Sequence, residues 1–304
     1  MKLTLLVGPP ASGKSTLARK IVEEDTSLQG TVYVNQDSQG KEHLAIFQAA
    51  LLAGHSIIVD RMGFNKVQRD RYLVPAKAAG YETEIIVLHE NYDTCLARCL
   101  ARKDHETIKD EESARSALAL FFGKYERVQD SEADEVTRVW PDGAKPSAIC
   151  VDLDGTLCNI DHRLHFVRCP EGGKKDWKGF FEGIPGDRVN HWCQDILWAI
   201  SDGKFHQVVY CSGRSEDYRG TTVEWLKRNE LHNLNDRVGI SDSLHLYMRP
   251  SNDSRSDEIV KQIILDFELK TRFNIAFCID DRPRVCRMWR ENGLTVLQCN
   301  DKEF

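Results

Sequence analysis

The chain has 304 residues, 41% of them hydrophobic and 29% charged, a globular balance that excludes a wholly disordered or fibrous protein and has the length of two domains. Forty-one Lys and Arg stand against 47 Asp and Glu. The net charge of −6 speaks against a protein that coats duplex DNA by overall charge, though a local basic groove remains compatible with it.

Residues 3–7 form an apolar run that reads as a buried parallel strand, and 14–23 follow as a helix. Residues 31–34 and 56–59 are further β-rich runs, with Leu44, Phe47 and Leu51 marking one side of a helix between them. Residues 67–79 read as a helix ended by Gly80, 84–88 as a strand, and 92–101 and 113–127 as helices. The alternation argues for a parallel sheet with helices on its faces. Four acids within residues 130–135 break the pattern, and Pro141 to Pro146 carries turn signals. Strands resume at 148–151, 207–211, 244–248, 275–279 and 294–297, with helices expected at 187–201, 218–229, 257–269 and 283–292. Residues 158–186 read as a small, less regular cap. The fold class is therefore α/β in two domains, 1–140 and 148–304, joined by a linker at 141–147. The halves share no motif, so this is not a repeat.

No apolar run approaches the ~20 residues that span a bilayer, and residues 3–7 are too short for a signal-peptide core. The ten cysteines show no CxxC pairing, so we expect reduced thiols in a cytoplasmic protein. Cys95 and Cys99, four apart, share one helix face and read as apolar packing rather than as metal ligands.

Gly8-Pro9-Pro10-Ala11-Ser12-Gly13-Lys14-Ser15 fits GxxxxGK[ST] between a strand and a helix. Glycines there let backbone N–H groups turn toward a polyphosphate, and the helix N-terminus adds positive potential. Gly8, Ser12, Gly13, Lys14, Ser15 and Thr16 are the expected nucleotide contacts, with Ser15 on Mg²⁺. Asp37, following the second strand, is placed to take the proton of an attacking hydroxyl or to cap the helix beginning near Lys41. Asp60 ends the third strand and either serves Mg²⁺ or its water, or pairs with Lys14 or Arg61. Arg98 and Arg102, at i and i+4 and followed by Lys103 and His105, can close over the γ-phosphate or form a solvated basic face. Arg61, Lys66, Arg69, Arg71 and Lys77 against Asp70 alone make a local +4, a modest footprint for a polyanionic acceptor.

In the second half, Asp152-Leu153-Asp154-Gly155-Thr156 follows a strand. Asp152 can attack phosphorus and carry an aspartyl-phosphate, while Asp154 protonates the leaving oxygen and later activates water. Two carboxylates so close need Mg²⁺ or a shared proton. Ser212, Gly213 and Arg214 offer groups for phosphate oxygens, Lys261 a neutralising ammonium, and Asp280 and Asp281 the rest of a Mg²⁺ shell. The ordered set reads as a phosphatase.

Asp152–Thr156, Ser212, Lys261 and Asp280-Asp281 resemble the four ordered motifs of the haloacid-dehalogenase (HAD) phosphohydrolases, and Gly8–Ser15 is similar to the P-loop kinases. Kinase followed by phosphatase resembles the phage-type bifunctional polynucleotide 5′-kinase/3′-phosphatases over nearly the whole chain, down to Ile279-Asp280-Asp281-Arg282 and Met288-Trp289-Arg290. The resemblance implies an N-terminal P-loop NTPase-type sheet and a C-terminal HAD-like Rossmannoid sheet with a small cap. It implies ATP or another NTP as donor, Mg²⁺ in both domains, and DNA or RNA ends as substrate, including 2′,3′-cyclic phosphates. Asp37 would then be the general base, Arg98 and Arg102 the kinase lid, and Arg163 a phosphate contact. A homotetramer and a functional link to a ligase are implied by the family alone, as is a phage or bacterial cytoplasm. Gly40 departs from the phage pattern, which has arginine there; Lys41 compensates or the substrate phosphate is held differently. Trp177, Phe180 and Phe181 either stack on a terminal base or pack the cap. The rival readings are a small-molecule kinase fused to a nucleotidase-like phosphatase, and a non-catalytic module that binds nucleic-acid ends.

Overall fold

The computed structural model describes residues 1–26, 30–102, 108, 110–168, 173–203, 206–235 and 244–301. It divides into two compact units, Met1–Gly143 and Ala144–Phe304.

The first unit carries strands β1 (Lys2–Val7), β2 (Thr31–Asn35), β3 (Ser56–Asp60), β4 (Glu82–Leu88) and β5 (Glu135–Val139). They form one parallel sheet in the order β2-β3-β1-β4-β5. Central β1 is buried along Leu3, Leu5, Leu6 and Val7, as a strand covered on both faces must be. Strand β5 corrects the sequence reading, which ended the alternation at the acidic stretch. Asp130–Glu132 is instead a short 3₁₀ turn, and Glu135–Val139 pairs with β4 as the edge strand. The helix expected at 113–127 runs Glu111–Lys124.

The second unit carries β6 (Ser147–Val151), β7 (Cys158–Asn159), β8 (Arg188–Val189), β9 (Gln207–Ser215), β10 (His245–Arg249), β11 (Asn274–Asp280) and β12 (Thr295–Gln298). Its five-stranded parallel sheet runs β10-β9-β6-β11-β12, and β7 with β8 forms a small antiparallel pair in the cap. Alternate residues of β6 serve opposite faces: Ala148 and Cys150 pack in one core cluster, Ile149 and Val151 in the other. Two boundaries differ from the sequence reading. The helix expected at 187–201 starts at His191, because residues 188–189 pair with β7. Strand β9 also continues through Ser212, Gly213 and Arg214, which the sequence placed beyond it. The nine described cysteines are free thiols, eight of them buried; Cys169 lies outside the described residues. Among the described residues no helix is long and apolar enough to cross a membrane.

Candidate phosphoryl-transfer sites

In the first unit the chain leaves β1 into the phosphate loop at the middle of the sheet, the edge where such folds bind ligands. Gly8 must be glycine: a Cβ there would meet Leu88 O at 2.6 Å and Ser12 Oγ at 2.8 Å. Gly13 takes a left-handed φ of 100° and hands the chain to helix Lys14–Glu24, whose N-terminus has no side-chain cap. Its first-turn N–H groups are therefore free of side-chain acceptors, as an anion site requires. Lys14 is 8% exposed, and its ammonium donates to Gly8 O (3.0 Å), Pro9 O (2.7 Å) and Ser12 Oγ (3.5 Å). Burial lowers its pKa, opposed by the charges of Asp60, Cys95 and Asp37, while Arg102 lowers it further. Asp37 and Arg102 thus lie within electrostatic range of the loop lysine. Thr16, in the same first turn, is exposed.

Asp60 settles as a hydrogen-bond hub, accepting from Ser15 Oγ (2.6 Å), Tyr33 OH (2.8 Å) and Asn35 Nδ2 (2.9 Å). Arg61 reaches His43 (3.2 Å) and Tyr72 (3.3 Å) instead. Asp37 lies in the short helix Gln36–Gln39, capped by Asn35, and the turn and helix that follow have Gln39 and Glu42 at their N-caps, so Asp37 caps none of them and is exposed. Arg98 donates to Ala11 O in the phosphate loop (3.3 Å) and pairs with Glu90 (2.9 Å). Arg102 corrects the expected shared face: helix Tyr92–Ala101 ends before it, and its backbone is extended. Lys103 and His105 lie outside the described residues.

One member of the basic footprint turns inward. Arg69 is 1% exposed, clamps Glu132 through Nε (2.7 Å) and Nη2 (2.9 Å), and donates to Gly63 O and Glu126 O. Lys77 donates to Glu132 O, and Lys66 pairs with Asp70. Arg69 thus braces the unit from inside, while Lys66, Arg71 and Lys77 stay exposed and Arg61 is half-buried.

In the second unit three adjacent strands, β9, β6 and β11, bring their C-terminal ends to one cleft of about 450 Å³. Asp152, Asp154, Gly213, Lys261, Asp280 and Asp281 line it. Lys261, on helix Asp257–Ile264, is 2% exposed and donates to Asp152 Oδ1 (2.5 Å) and Asp280 Oδ2 (2.8 Å). Burial alone would lower its pKa, but those two carboxylates raise it well above the ordinary value. Trp289 Nε1 also donates to Asp280 Oδ2 (3.1 Å). Burial pushes Asp281 up to about 8, aided by the charges of Asp152 and Asp280. Asp152 rises to about 6, again by burial, with Lys261 opposing. Gly155, at φ 92°, admits the Asp281 carboxylate where a Cβ would collide with it.

The carboxylates of Asp152, Asp280 and Asp281 each place an oxygen within 4.8 Å of the others. Three hard oxygen donors in excess of one ammonium suit Mg²⁺, and the raised acids are groups that a cation would return to their ionised form.

Asp154 sits in a different field. Burial opposes its charge, but the guanidiniums of Arg214 and Arg163 outweigh burial and hold its pKa far below the usual range. Arg163 Nη2 and Arg214 Nη2 each lie 2.5 Å from Asp154 Oδ1. Both arginines are fully buried and also grip Asp187, at 2.6 Å and 2.7 Å. Their remaining nitrogens donate to Phe180 O and Thr222. Every guanidinium nitrogen of the pair has a protein acceptor, and bonds from both fix Asp154. Ser212 is fully buried and accepts from Arg214 N (3.2 Å), leaving Gly213 as the member of that group on the cleft.

Sequence reasoning missed Asp187, whose partners are 24 and 27 residues away. It also missed Asp257, held between Arg249 and Arg282 at the cleft wall. Neither has a local motif that marks it.

A phosphate loop on one parallel sheet, and an aspartate pair with a buried lysine and two further acids on the other, define a P-loop domain joined to a HAD-type phosphatase domain. Residues 146–304, more than half of the chain, match the family described as the polynucleotide kinase PNKP phosphatase domain, and this chain belongs to that family. Residues 3–127 match the AAA domain family. A protein of Autographa californica nuclear polyhedrosis virus, assigned as a bifunctional polynucleotide kinase/RNA ligase, is 23% identical over 325 residues, which is 95% of this chain and 41% of that protein. The chain thus spans about two fifths of that curated relative's length. Among solved structures, the Pnkp1/Rnl/Hen1 RNA repair complex aligns over 100% of this chain and 97% of its own, at 23% identity and a TM-score of 0.42. Chaetomium thermophilum Kti12 in complex with ADP-AlF3 covers 45% of this chain and 88% of its own, at 20% identity and a TM-score of 0.37.

Proposed function

We propose that the chain is a bifunctional enzyme that heals nucleic-acid ends. Its first unit transfers the γ-phosphoryl group of ATP to a 5′-hydroxyl, and its second hydrolyses a 3′-phosphate, or a 2′,3′-cyclic phosphate, through an aspartyl-phosphate. The observation that carries the reading is the buried Lys261–Asp152–Asp280 cluster beside Asp154, within the residues that match the polynucleotide kinase phosphatase family.

In the first unit Lys14 and the uncapped N–H groups of its helix hold the polyphosphate, with Gly8, Ser12 and Gly13 shaping the loop and Thr16, on the helix, a further nucleotide contact. Arg98, anchored at Ala11 O, and Arg102 lie over the transferring group, and Asp37 accepts the hydroxyl proton. Ser15, already bonded to Asp60, is the loop hydroxyl placed for Mg²⁺.

In the second unit Lys261 holds Asp152 Oδ1, so the other carboxylate oxygen attacks phosphorus. The bond from phosphorus to the nucleotide 3′-oxygen breaks, and Asp154 protonates that oxygen. Water then attacks the acyl phosphate and its bond to Asp152 breaks; the Asp154 carboxylate, the form that Arg163 and Arg214 favour, takes the water's proton, which it gives to the next leaving oxygen, and phosphate departs. Asp152, Asp280 and Asp281 would hold Mg²⁺, which would supply charge neutralisation of the phosphoryl oxygens. The products, 5′-phosphate and 3′-hydroxyl, are the ends a ligase joins. Assembly as a homotetramer is a matter for light scattering.

The test compares acceptors and donors of phosphate. With ATP and Mg²⁺, DNA and RNA oligomers bearing a 5′-hydroxyl become 5′-phosphorylated, and 3′-phosphorylated oligomers release phosphate. Transfer confined to nucleosides or sugars, with no action on oligomers, would establish the small-molecule reading instead.

A further inference from the structure

The cleft over the second unit's carboxylates has an apolar side as well as a charged floor. Trp177, Phe180 and Phe181, all on the short helix Trp177–Glu182, line it together with Lys175. The three aromatics do not share one job. Phe180 is 2% exposed and lies under the Arg163 guanidinium, 4.1 Å from its ring centre, where it packs the arginine pair that holds Asp154. Trp177 is 45% exposed. Phe181 braces it nearly parallel (6.0 Å between ring centres, 25°) and Phe180 edge-on (5.8 Å, 89°), and Phe181 in turn rests on Tyr218 (5.0 Å). The indole is thus held by a stack of rings while much of its surface stays open. The Lys175 ammonium stands 5.3 Å from the centre of that ring, and among the described residues it has no carboxylate partner.

A braced, half-open indole with an ammonium against its ring, beside a site for phosphate-ester hydrolysis, matches one ligand chemistry, a nucleotide. Aromatic stacking accepts any base through its π-face, and an ammonium neutralises a phosphodiester. We propose that Trp177 stacks on the base of the 3′-terminal nucleotide and that Lys175 meets the phosphodiester on its 5′ side. The proposal rests on the phosphatase reading and deepens it. The stack then serves DNA and RNA ends alike, because a base offers its π-face whatever sugar carries it.

The test uses the full-length chain and its Trp177→Ala and Trp177→Phe variants. The substrates are 3′-phosphorylated DNA and RNA oligomers ending in a normal nucleotide or in an abasic one. Phosphate release gives kcat/KM, and equilibrium binding of the same oligomers gives a readout that does not depend on turnover. Trp177→Ala should lower kcat/KM and affinity about tenfold or more for base-bearing ends and leave abasic ends within about twofold. Trp177→Phe should recover most of the loss, which sets aside misfolding as its cause. Equal losses on abasic and base-bearing ends, or no loss on either, would overturn the stacking role. Base-dependent binding that Trp177→Ala abolishes, in a protein that releases no phosphate from any oligomer, would uphold the stack and instead refute the phosphatase reading.

Discussion

Lys261 shares its ammonium between Asp152 and Asp280, with Asp281 close by, so a single cation offsets three buried acids. Breaking a buried pair by removing one partner costs about 3–5 kcal/mol. Lys261→Met should therefore lower the unfolding free energy by about that amount in urea titrations, and reduce phosphate release at least ~100-fold while 5′-phosphorylation persists. Unchanged stability would contradict the charge balance described here. The raised acids also set a pH dependence. Asp281 keeps its proton to about pH 8 and Asp152 to about pH 6 in the folded chain, where unfolded aspartates have released theirs. The contribution of this pair to stability is fully present below the unfolded aspartate pKa and declines as pH rises toward 8. Mg²⁺ must displace those protons, so its stabilising shift in Tm should be larger at about pH 8.5 than at about pH 6. A shift that is equal or larger at the lower pH would refute the assignment of these carboxylates to the cation. Asp152, Asp154, Asp280, Asp281 and Lys261 were legible in the sequence because each follows or ends a β-run or lies on a helix at a recognisable spacing. Asp187 was not, since a buried carboxylate whose partners come from distant segments leaves no local pattern.

At the scale of elements, the long apolar strands declared themselves, and the errors fell where charge or function altered the pattern. Strand β5 has one partly buried stretch and two exposed ends, so its residues read as a polar linker although they pair with β4. Within the basic run from Arg61 to Lys77, sequence alone cannot show that Arg69 points into the unit, where it ties helix Lys66–Ala78 to Glu132 just ahead of β5. Arg69→Ala strands Glu132 without its counter-charge and should cost about 3–5 kcal/mol. Adding Glu132→Ala should cost less than the sum of the two single changes, a coupling that a double-mutant cycle in urea would measure. Additive losses would mean that the pair does not carry the attachment of this helix. The cap shows the same division within six residues: Phe180 and Trp177 belong to one aromatic cluster in sequence, yet Phe180 is buried under Arg163 while Trp177 stands half open.

For the whole molecule, the net charge of −6 excludes a protein that coats nucleic acid, and it fits one that grips an end. Much of the acidity has a place in the two sites: Asp60 in the hydrogen bonds around Ser15, and Asp152, Asp280 and Asp281 around Lys261. Each unit has its own parallel sheet and its own phosphate-binding edge, so the two chemistries should separate by mutation. The most direct measurement follows both termini of one oligomer, bearing a 5′-hydroxyl and a 3′-phosphate, incubated with ATP, Mg²⁺ and the wild-type, Asp37→Ala or Asp152→Asn chain. The wild type should convert both ends, Asp37→Ala the 3′-end alone, and Asp152→Asn the 5′-end alone. Loss of both conversions from either substitution, in a chain that still unfolds cooperatively, would contradict two separate sites of phosphoryl transfer.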